Sequence, residues 1–156
     1  MKTPITYLSP IHLKLEVTND VTNFFARMDQ KRTFRFITFK IGPRNIIDVE
    51  NVGGRESTFE DFLTVIPRDE PRFVIYDVPC ETCDCRKYDK MLFVYWCPED
   101  VSSSRLKVQY ATTKKLFSEL FQSKGSLNPS NDIEIHDIDE LCLNVFVAKA
   151  SRNGKD

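Results

Sequence analysis

Cys80, Cys83 and Cys85 stand close enough along the chain for their thiolates to share a metal ion, or to form a cluster of oxidisable thiols. A structural zinc site wants four ligands. Cys97 and Cys142 lie in apolar runs that read as core, and no paired histidine follows at finger spacing. The pattern favours an exposed, oxidisable thiol cluster, with a zinc site as the alternative. The two histidines, His12 and His136, form no Ser-His-Asp pattern. Gly53-Gly54 lacks the following lysine of a phosphate-binding loop. Asp69, Glu70, Asp139 and Glu140 read equally well as surface residues and helix caps. Nothing resembles tuned acid–base chemistry. No enzyme, no catalytic residue and no cofactor are expected.

Charge is the other chemistry available. Between Asp100 and Gly125 there are five cationic and two acidic residues, a balance of +3 in a chain of net charge −1. Leu106, Tyr110, Thr113, Phe117, Leu120 and Phe121 recur there at three- and four-residue steps, which predicts a long helix with one apolar face. Asp100 and the serines after it suit its first turn, and Gly125 suits a left-handed cap. On the other face, Arg105, Lys107, Lys114 and Lys115 flank the small residues Ser104, Val108, Ala111 and Thr112. Such a face either keeps the helix in water or docks an acidic partner.

The elements that must position this helix follow from the rest of the chain. Its 156 residues suit one domain, and 41% hydrophobic with 29% charged residues describes a soluble globular protein. The slight negative charge argues against a general nucleic-acid binder and leaves a local basic patch open. No apolar run reaches the ~20 residues that span a bilayer. Pro4 and Pro10 make the N-terminus a poor signal peptide, so the cytoplasm is expected, with nuclear entry open. Residues 1–12 read as a flexible extension, 13–150 as the domain and 151–156 as a frayed tail. Periodicity predicts a helix over 17–29, strands over 33–41 and 46–52, and a helix from Ser57 with Ser57 and Glu60 as a capping box. A strand over 73–78, a loop over 79–90 and a strand over 91–97 lead into the long helix. A short strand at 133–135 and a helix from about Asp137 finish the chain. Near-continuous apolar strands imply a sheet covered on both faces.

Five segments then read together: KRTFRFITFKI (31–41), STFEDF (57–62), DEPRFVIYDV (69–78), KMLFVYWCPED (90–100) and RLKVQYATTKKLF (105–117). In this order they resemble the actin-depolymerizing factor/cofilin family, especially its plant-like members. The resemblance runs from about Val17 to Phe121 and more weakly to Ala150. It implies an α/β fold, a single actin-depolymerizing-factor-homology domain with a central mixed sheet of about five strands flanked by helices on both faces. It implies a monomeric protein that binds actin monomers, preferring the ADP form, binds filament sides, and promotes depolymerization and severing.

Residue by residue, Arg105, Lys107, Tyr110, Ala111 and Lys114 match the family pattern of the long helix. The resemblance thus implies an actin-binding surface of Leu13, Lys14, Arg105, Lys107, Val108, Ala111, Thr112, Lys114 and Lys115. The basic patch of Arg105, Lys107, Lys114 and Lys115 implies competing phosphoinositide headgroups. Arg86, Lys87 and Lys90 match the loop that serves filament sides. Departures are specific: Val108 replaces a methionine, Thr112-Thr113 replaces a serine pair, Glu99 is an extra residue before the helix, and Leu13 stands where a regulatory serine falls. Leu143 and Asn144 stand where many members carry charge, with Lys149 and Arg152 later. Weakened filament-side binding is expected. The alternatives are a relative of glia maturation factor acting on the branch-nucleating complex, or a zinc- or redox-responsive regulator using the cysteine loop.

Overall fold

The computed structural model describes residues 3–101 and 103–152, the side chain of Arg152 excepted. It opens with a hairpin, β1 (Ile5–Leu8) paired antiparallel with β2 (Lys14–Val17). Helix α1 (Asn19–Lys31) buries Val21, Phe25 and Met28 at helical spacing. Arg32 ends it at φ 52°, its N–H donating to Met28 O at 3.0 Å. Strand β3 (Phe34–Ile41), a 3-10 turn at Pro43–Asn45 and β4 (Ile46–Gly54) form a second hairpin. Helix α2 (Phe59–Val65) precedes β5 (Arg72–Glu81) and β6 (Lys87–Trp96). Then come α3 (Ser104–Lys124), β7 (Asp132–Ile135), a 3-10 turn at Ile138–Glu140, and α4 (Leu143–Arg152).

The strands form one sheet in the order β1-β2-β4-β3-β5-β6-β7. The β2–β4 and β6–β7 pairs are parallel and the others antiparallel. Alternation along the central strands divides the core in two. Phe73, Ile75, Phe93 and Tyr95 face α1 and α3, while Val74, Tyr76, Leu92 and Trp96 face α2 and α4. Aromatic rings fill both layers. Phe117 lies 5.0 Å from Phe39 and 5.2 Å from Phe73, and on the far side Phe59 lies 5.2 Å from Phe146. Burying each such ring contributes about 2–3 kcal/mol, several times an exposed ion pair. Helix α3 is therefore fixed by its aromatic stripe, and its charged face is not needed to hold the fold.

Several expectations change. Among the described residues the sheet has seven strands rather than about five. The expected flexible extension gives way over 5–8 to β1, because Leu15 and Val17 alternate inward on β2 and their strand accepts a neighbour. Val17 belongs to β2, so the first helix begins two residues later than the periodicity implied. The capping box is Thr58 with Asp61, not Ser57 with Glu60: Asp61 N–H donates to Thr58 Oγ1 at 3.1 Å and Thr58 N–H to Asp61 Oδ2 at 2.9 Å. Cross-strand pairing carries β5 and β6 through most of the expected 79–90 loop, down to Glu81 opposite Lys87. Of Asp100 and the serines expected at the first turn of α3, Ser103 is the one that caps it. Gly125 is extended at φ −155°, not left-handed; it is needed because a Cβ there would meet the Phe25 ring at 2.7 Å. The last helix starts at Leu143 after the 3-10 turn. Of the expected frayed tail, Ser151 and Arg152 close α4 and 153–156 lie outside the described residues. Among the described residues no helix is long and apolar enough to cross a membrane.

Candidate functional site: two basic surfaces at opposite ends of the sheet

The first surface is built on α3. Tyr110, Phe117, Leu120 and Phe121 are buried, which turns Arg105, Lys107, Val108, Ala111, Thr112 and Lys115 outward. Two contacts set the helix position. Ser103 Oγ accepts from the Leu106 N–H at 3.2 Å, capping the first turn. Tyr110 Oη accepts from the Ile41 N–H at 2.9 Å, tying the helix to the end of β3. Burial raises the Tyr110 pKa, so the phenol stays neutral. The Gln109 amide also donates to Asn45 Oδ1.

A groove of about 650 Å³ separates α3 from the start of β2, lined by Lys14, Asn45, Arg105, Val108 and Thr112 among others. Leu13 lies exposed beside Lys14 at its rim. Lys107, Ala111 and Lys115, spaced by four residues, form an exposed row along the helix. The Thr112 hydroxyl donates to Val108 O at 2.9 Å and the Thr113 hydroxyl to Gln109 O at 2.7 Å. Both hydroxyls are thus satisfied within the helix. Leu13, Lys14, Arg105, Lys107, Val108, Ala111, Thr112 and Lys115 are brought to one side of the molecule.

Lys114 differs. Its Nζ lies 2.5 Å from Glu134 Oε1 on β7 and 5.6 Å from the centre of the Tyr95 ring. Glu134 also meets His136 Nε2 at 2.6 Å. The Lys114 hydrogen bond holds the Glu134 carboxyl below the usual carboxylate range, against a smaller opposing effect of burial, with His136 adding to the lowering. Arg105, Lys107 and Lys115 make no ion pair among the described residues. Among the described residues, the four cations of the expected headgroup patch are therefore three without an ion pair and one engaged. Sequence reasoning had no signal for that pair, whose members stand twenty residues apart. It also missed the β1–β2 hairpin, although the alternation in Leu15-Glu16-Val17 is a strand signal.

The second surface is the β5–β6 hairpin. It lies at the opposite end of the sheet, about 30 Å from Trp96 at ~3.3 Å per residue. Arg86, Lys87 and Lys90 are there, with acids between them. Arg86 Nε is 3.1 Å from Asp84 Oδ2, Lys87 faces Glu81 across the hairpin, and half-buried Lys90 faces Val78. At the hairpin base the fully buried Asp77 carboxylate meets Arg32 at 2.7 Å and Arg55 at 2.8 Å. Arg35 donates to Asp77 O at 2.7 Å, and Asp89 accepts from Arg55 at 2.5 Å and Arg35 at 3.2 Å. This network ties the end of α1 and strands β3 and β4 to the hairpin. On α4, Leu143 packs against the second core layer, Asn144 is exposed and Lys149 is half-buried.

The cysteine reading is corrected in part. Cys83 and Cys85 are exposed at the hairpin tip, but Cys80 points into the core with its thiol 3.6 Å from Val78 O. Strand alternation separates Cys80 from the other two. Among the described residues no three histidine, cysteine or acidic side chains are grouped to hold a metal ion.

With this geometry in view, relatives can be compared. The family described as cofilin/tropomyosin-type actin-binding protein matches residues 14–151. Actin-depolymerizing factor 1 of Arabidopsis thaliana is 33% identical over 139 residues, covering 88% of this chain and 95% of the relative. Actin-depolymerizing factor 8 of the same plant is 36% identical over 104 residues, covering 66% and 74%. Among solved structures, Streptomyces griseoflavus cofilin superposes with a TM-score of 0.73 at 23% identity, covering 87% of this chain and 96% of that one. Coactosin from Entamoeba histolytica superposes with a TM-score of 0.70 at 18% identity, covering 87% and 94%. The family consists of actin-binding regulators, not enzymes. An aromatic-cored mixed sheet with an outward cationic helix, the family match over 14–151 and these relatives agree, and the chain belongs to the actin-depolymerizing factor/cofilin family.

Proposed function

We propose that this chain binds actin through Leu13, Lys14 and the outward face of α3, and promotes filament depolymerization and turnover in the cytoplasm. The carrying observation is that Arg105, Lys107 and Lys115 make no ion pair among the described residues and surround the apolar Val108 and Ala111, on a helix secured mainly by its opposite, aromatic face. Such cations steer the encounter with an acidic partner, and small side chains between them let the helix lie close in a cleft. Thr112 contributes packing rather than hydrogen bonds, because its hydroxyl is satisfied internally. The favoured target is the monomer in its ADP form. Arg105, Lys107 and Lys115, with Lys114 after release from Glu134, also make a site where phosphoinositide headgroups compete.

Filament-side binding through Arg86, Lys87 and Lys90 is weak in this reading. Asp84 and Glu81 offset two of those cations, and α4 presents Leu143 and Asn144 instead of charge. The test is a titration of ADP-actin monomer on native gels, with co-sedimentation on filaments in parallel. Arg105→Ala with Lys107→Ala should weaken monomer binding at least tenfold while leaving the melting temperature unchanged. A double variant that binds like the parent overturns the assignment of this face. Severing at the rate of a conventional relative overturns the filament-side part.

A further inference from the structure

The turn joining β1 to β2 is ordered by its own hydrogen bonds. Ser9 N–H donates to Leu13 O at 2.9 Å, Leu13 N–H to Ser9 Oγ at 2.9 Å, and His12 N–H to Ser9 O at 2.8 Å. Pro10 restricts one more φ. His12 sits at φ 66°, a conformation that a non-glycine residue keeps only where its surroundings impose it. The backbone is pinned while the side chains stand out. Ile11 is 74% exposed, Leu8 64% and Leu13 51%, and Val108 on α3 is 61% exposed. These are the four most exposed large hydrophobic residues among those described. A rigid turn loses little conformational freedom on docking, and a gathered apolar tip marks an interaction surface.

The occupant follows from what adjoins the tip. Leu13 leads directly into Lys14, which shares a groove with Arg105 and Val108, so the tip continues the α3 face. Residues 8–13 carry no formal charge with His12 neutral; in the groove behind them Lys14 lies 3.2 Å from Glu16, and Arg105 makes no ion pair among the described residues. An apolar centre with a cationic rim fits a recess that is apolar in the middle and acidic at its edge. Glu16 lines the groove on one side of the turn and Glu119 the groove on the other. With Lys14 held 3.2 Å from Glu16 and Glu119 on the far side, the tip has no basic cluster of the kind that binds an anionic bilayer, whereas Arg105 on the α3 side is free to meet an acidic recess edge. We infer that the 8–13 turn is a preformed apolar prong that enters a recess on actin beside the α3 contact, with Leu8 and Ile11 as its anchors. This rests on the actin reading of the α3 face given above.

The experiment measures dissociation constants for ADP-actin monomer with the full chain. Leu8→Ser with Ile11→Ser should weaken binding about tenfold, the loss expected from two anchors that no longer bury apolar surface. Ser9→Ala keeps both anchors but removes the acceptor for the Leu13 N–H; it should weaken binding about two- to threefold. Melting temperatures of both variants are measured alongside, and the double serine variant should melt as the parent does because both side chains are exposed. If the double serine variant binds like the parent while Arg105→Ala with Lys107→Ala does not, the prong is wrong and the α3 face stands. If neither pair of substitutions weakens binding, the actin reading of the whole face fails with it. Loss of co-sedimentation with phosphatidylserine vesicles at unchanged actin affinity assigns the tip to a bilayer and overturns the inference. A parent that sediments as a dimer, with the serine variant a monomer of unchanged actin affinity, overturns it in favour of a second copy.

Discussion

Tyr110 and Ile41 are joined by a buried hydrogen bond of 2.9 Å that spans sixty-nine residues of chain, phenol oxygen accepting from backbone N–H. It is the polar link that fixes how the first turns of α3 sit over the end of β3. Tyr110→Phe keeps the ring and removes the acceptor, leaving a buried N–H without a partner. The expected cost is about 1–3 kcal/mol, seen as a melting temperature lower by several degrees. Actin affinity measured well below that temperature should change less than about threefold. An unchanged melting temperature would show that the N–H finds water instead.

Asp77 makes a second prediction. Its carboxylate is completely buried and its charge is shared between Arg32 and Arg55. Asp77→Asn leaves two guanidinium groups facing a neutral amide. Because both arginines reach water in part, the cost should fall near the low end for a broken buried pair, about 3 kcal/mol. Urea unfolding would read this as a lower midpoint at an unchanged slope. A midpoint within error of the parent would mean that Asp89 holds Arg55 by itself and that Arg32 is satisfied by water.

Glu134→Gln releases Lys114 toward solvent. The exposed pair is worth at most about 1 kcal/mol, so the variant should lose little stability. Actin association should be faster by up to about fivefold, with a steeper dependence on salt. Stopped-flow association at two ionic strengths decides it. A slower association would mean that Glu134 contributes to the partner contact.

Acid stability separates the two acids of β7. Burial raises the Asp132 pKa, against the smaller effect of the Ser118 hydroxyl, which lies 2.8 and 3.0 Å from its oxygens. Its contribution is full below the unfolded value and is lost as pH rises through the folded one. Glu134, lowered by Lys114, contributes above its unfolded value and loses that contribution as pH falls through the lowered folded pKa. Asp132→Asn should therefore be more stable than the parent at pH 7. The gap should close as pH falls through the raised Asp132 pKa toward the ordinary aspartate value of about 4. A gap that is constant with pH would assign the effect to packing.

Much of this was legible in the chain before any coordinates. Phe73 through Val78 and Met91 through Trp96 announce buried strands, and Tyr110, Phe117 and Phe121 announce the inner face of α3. The outward residues Arg105, Lys107, Val108 and Ala111 follow from that same periodicity. What stayed hidden depends on contacts that residue types do not announce. The missed hairpin joins near neighbours, with Leu8 opposite Lys14, while Lys114 and Glu134 meet across twenty residues. Cys80 and Cys83 look alike as letters, and only cross-strand register turns one inward and leaves the other on the turn. Boundaries also moved where side chains compete for one role: Thr58 and Asp61 took the cap that Ser57 and Glu60 could equally have formed.

The order of the sheet has one more effect. Its two longest strands, β5 and β6, have ten residues each and stand inside, while the outer strands β1 and β7 have four residues each. An outer strand offers its unpaired backbone groups as a template for another chain, and self-assembling segments need about six residues in register. Four residues at either rim fall short of that. Molecules crowded together at high concentration meet short rims, and where β7 leaves the start of β6 uncovered, Lys87, Asp89 and Lys90 place charge along the open edge.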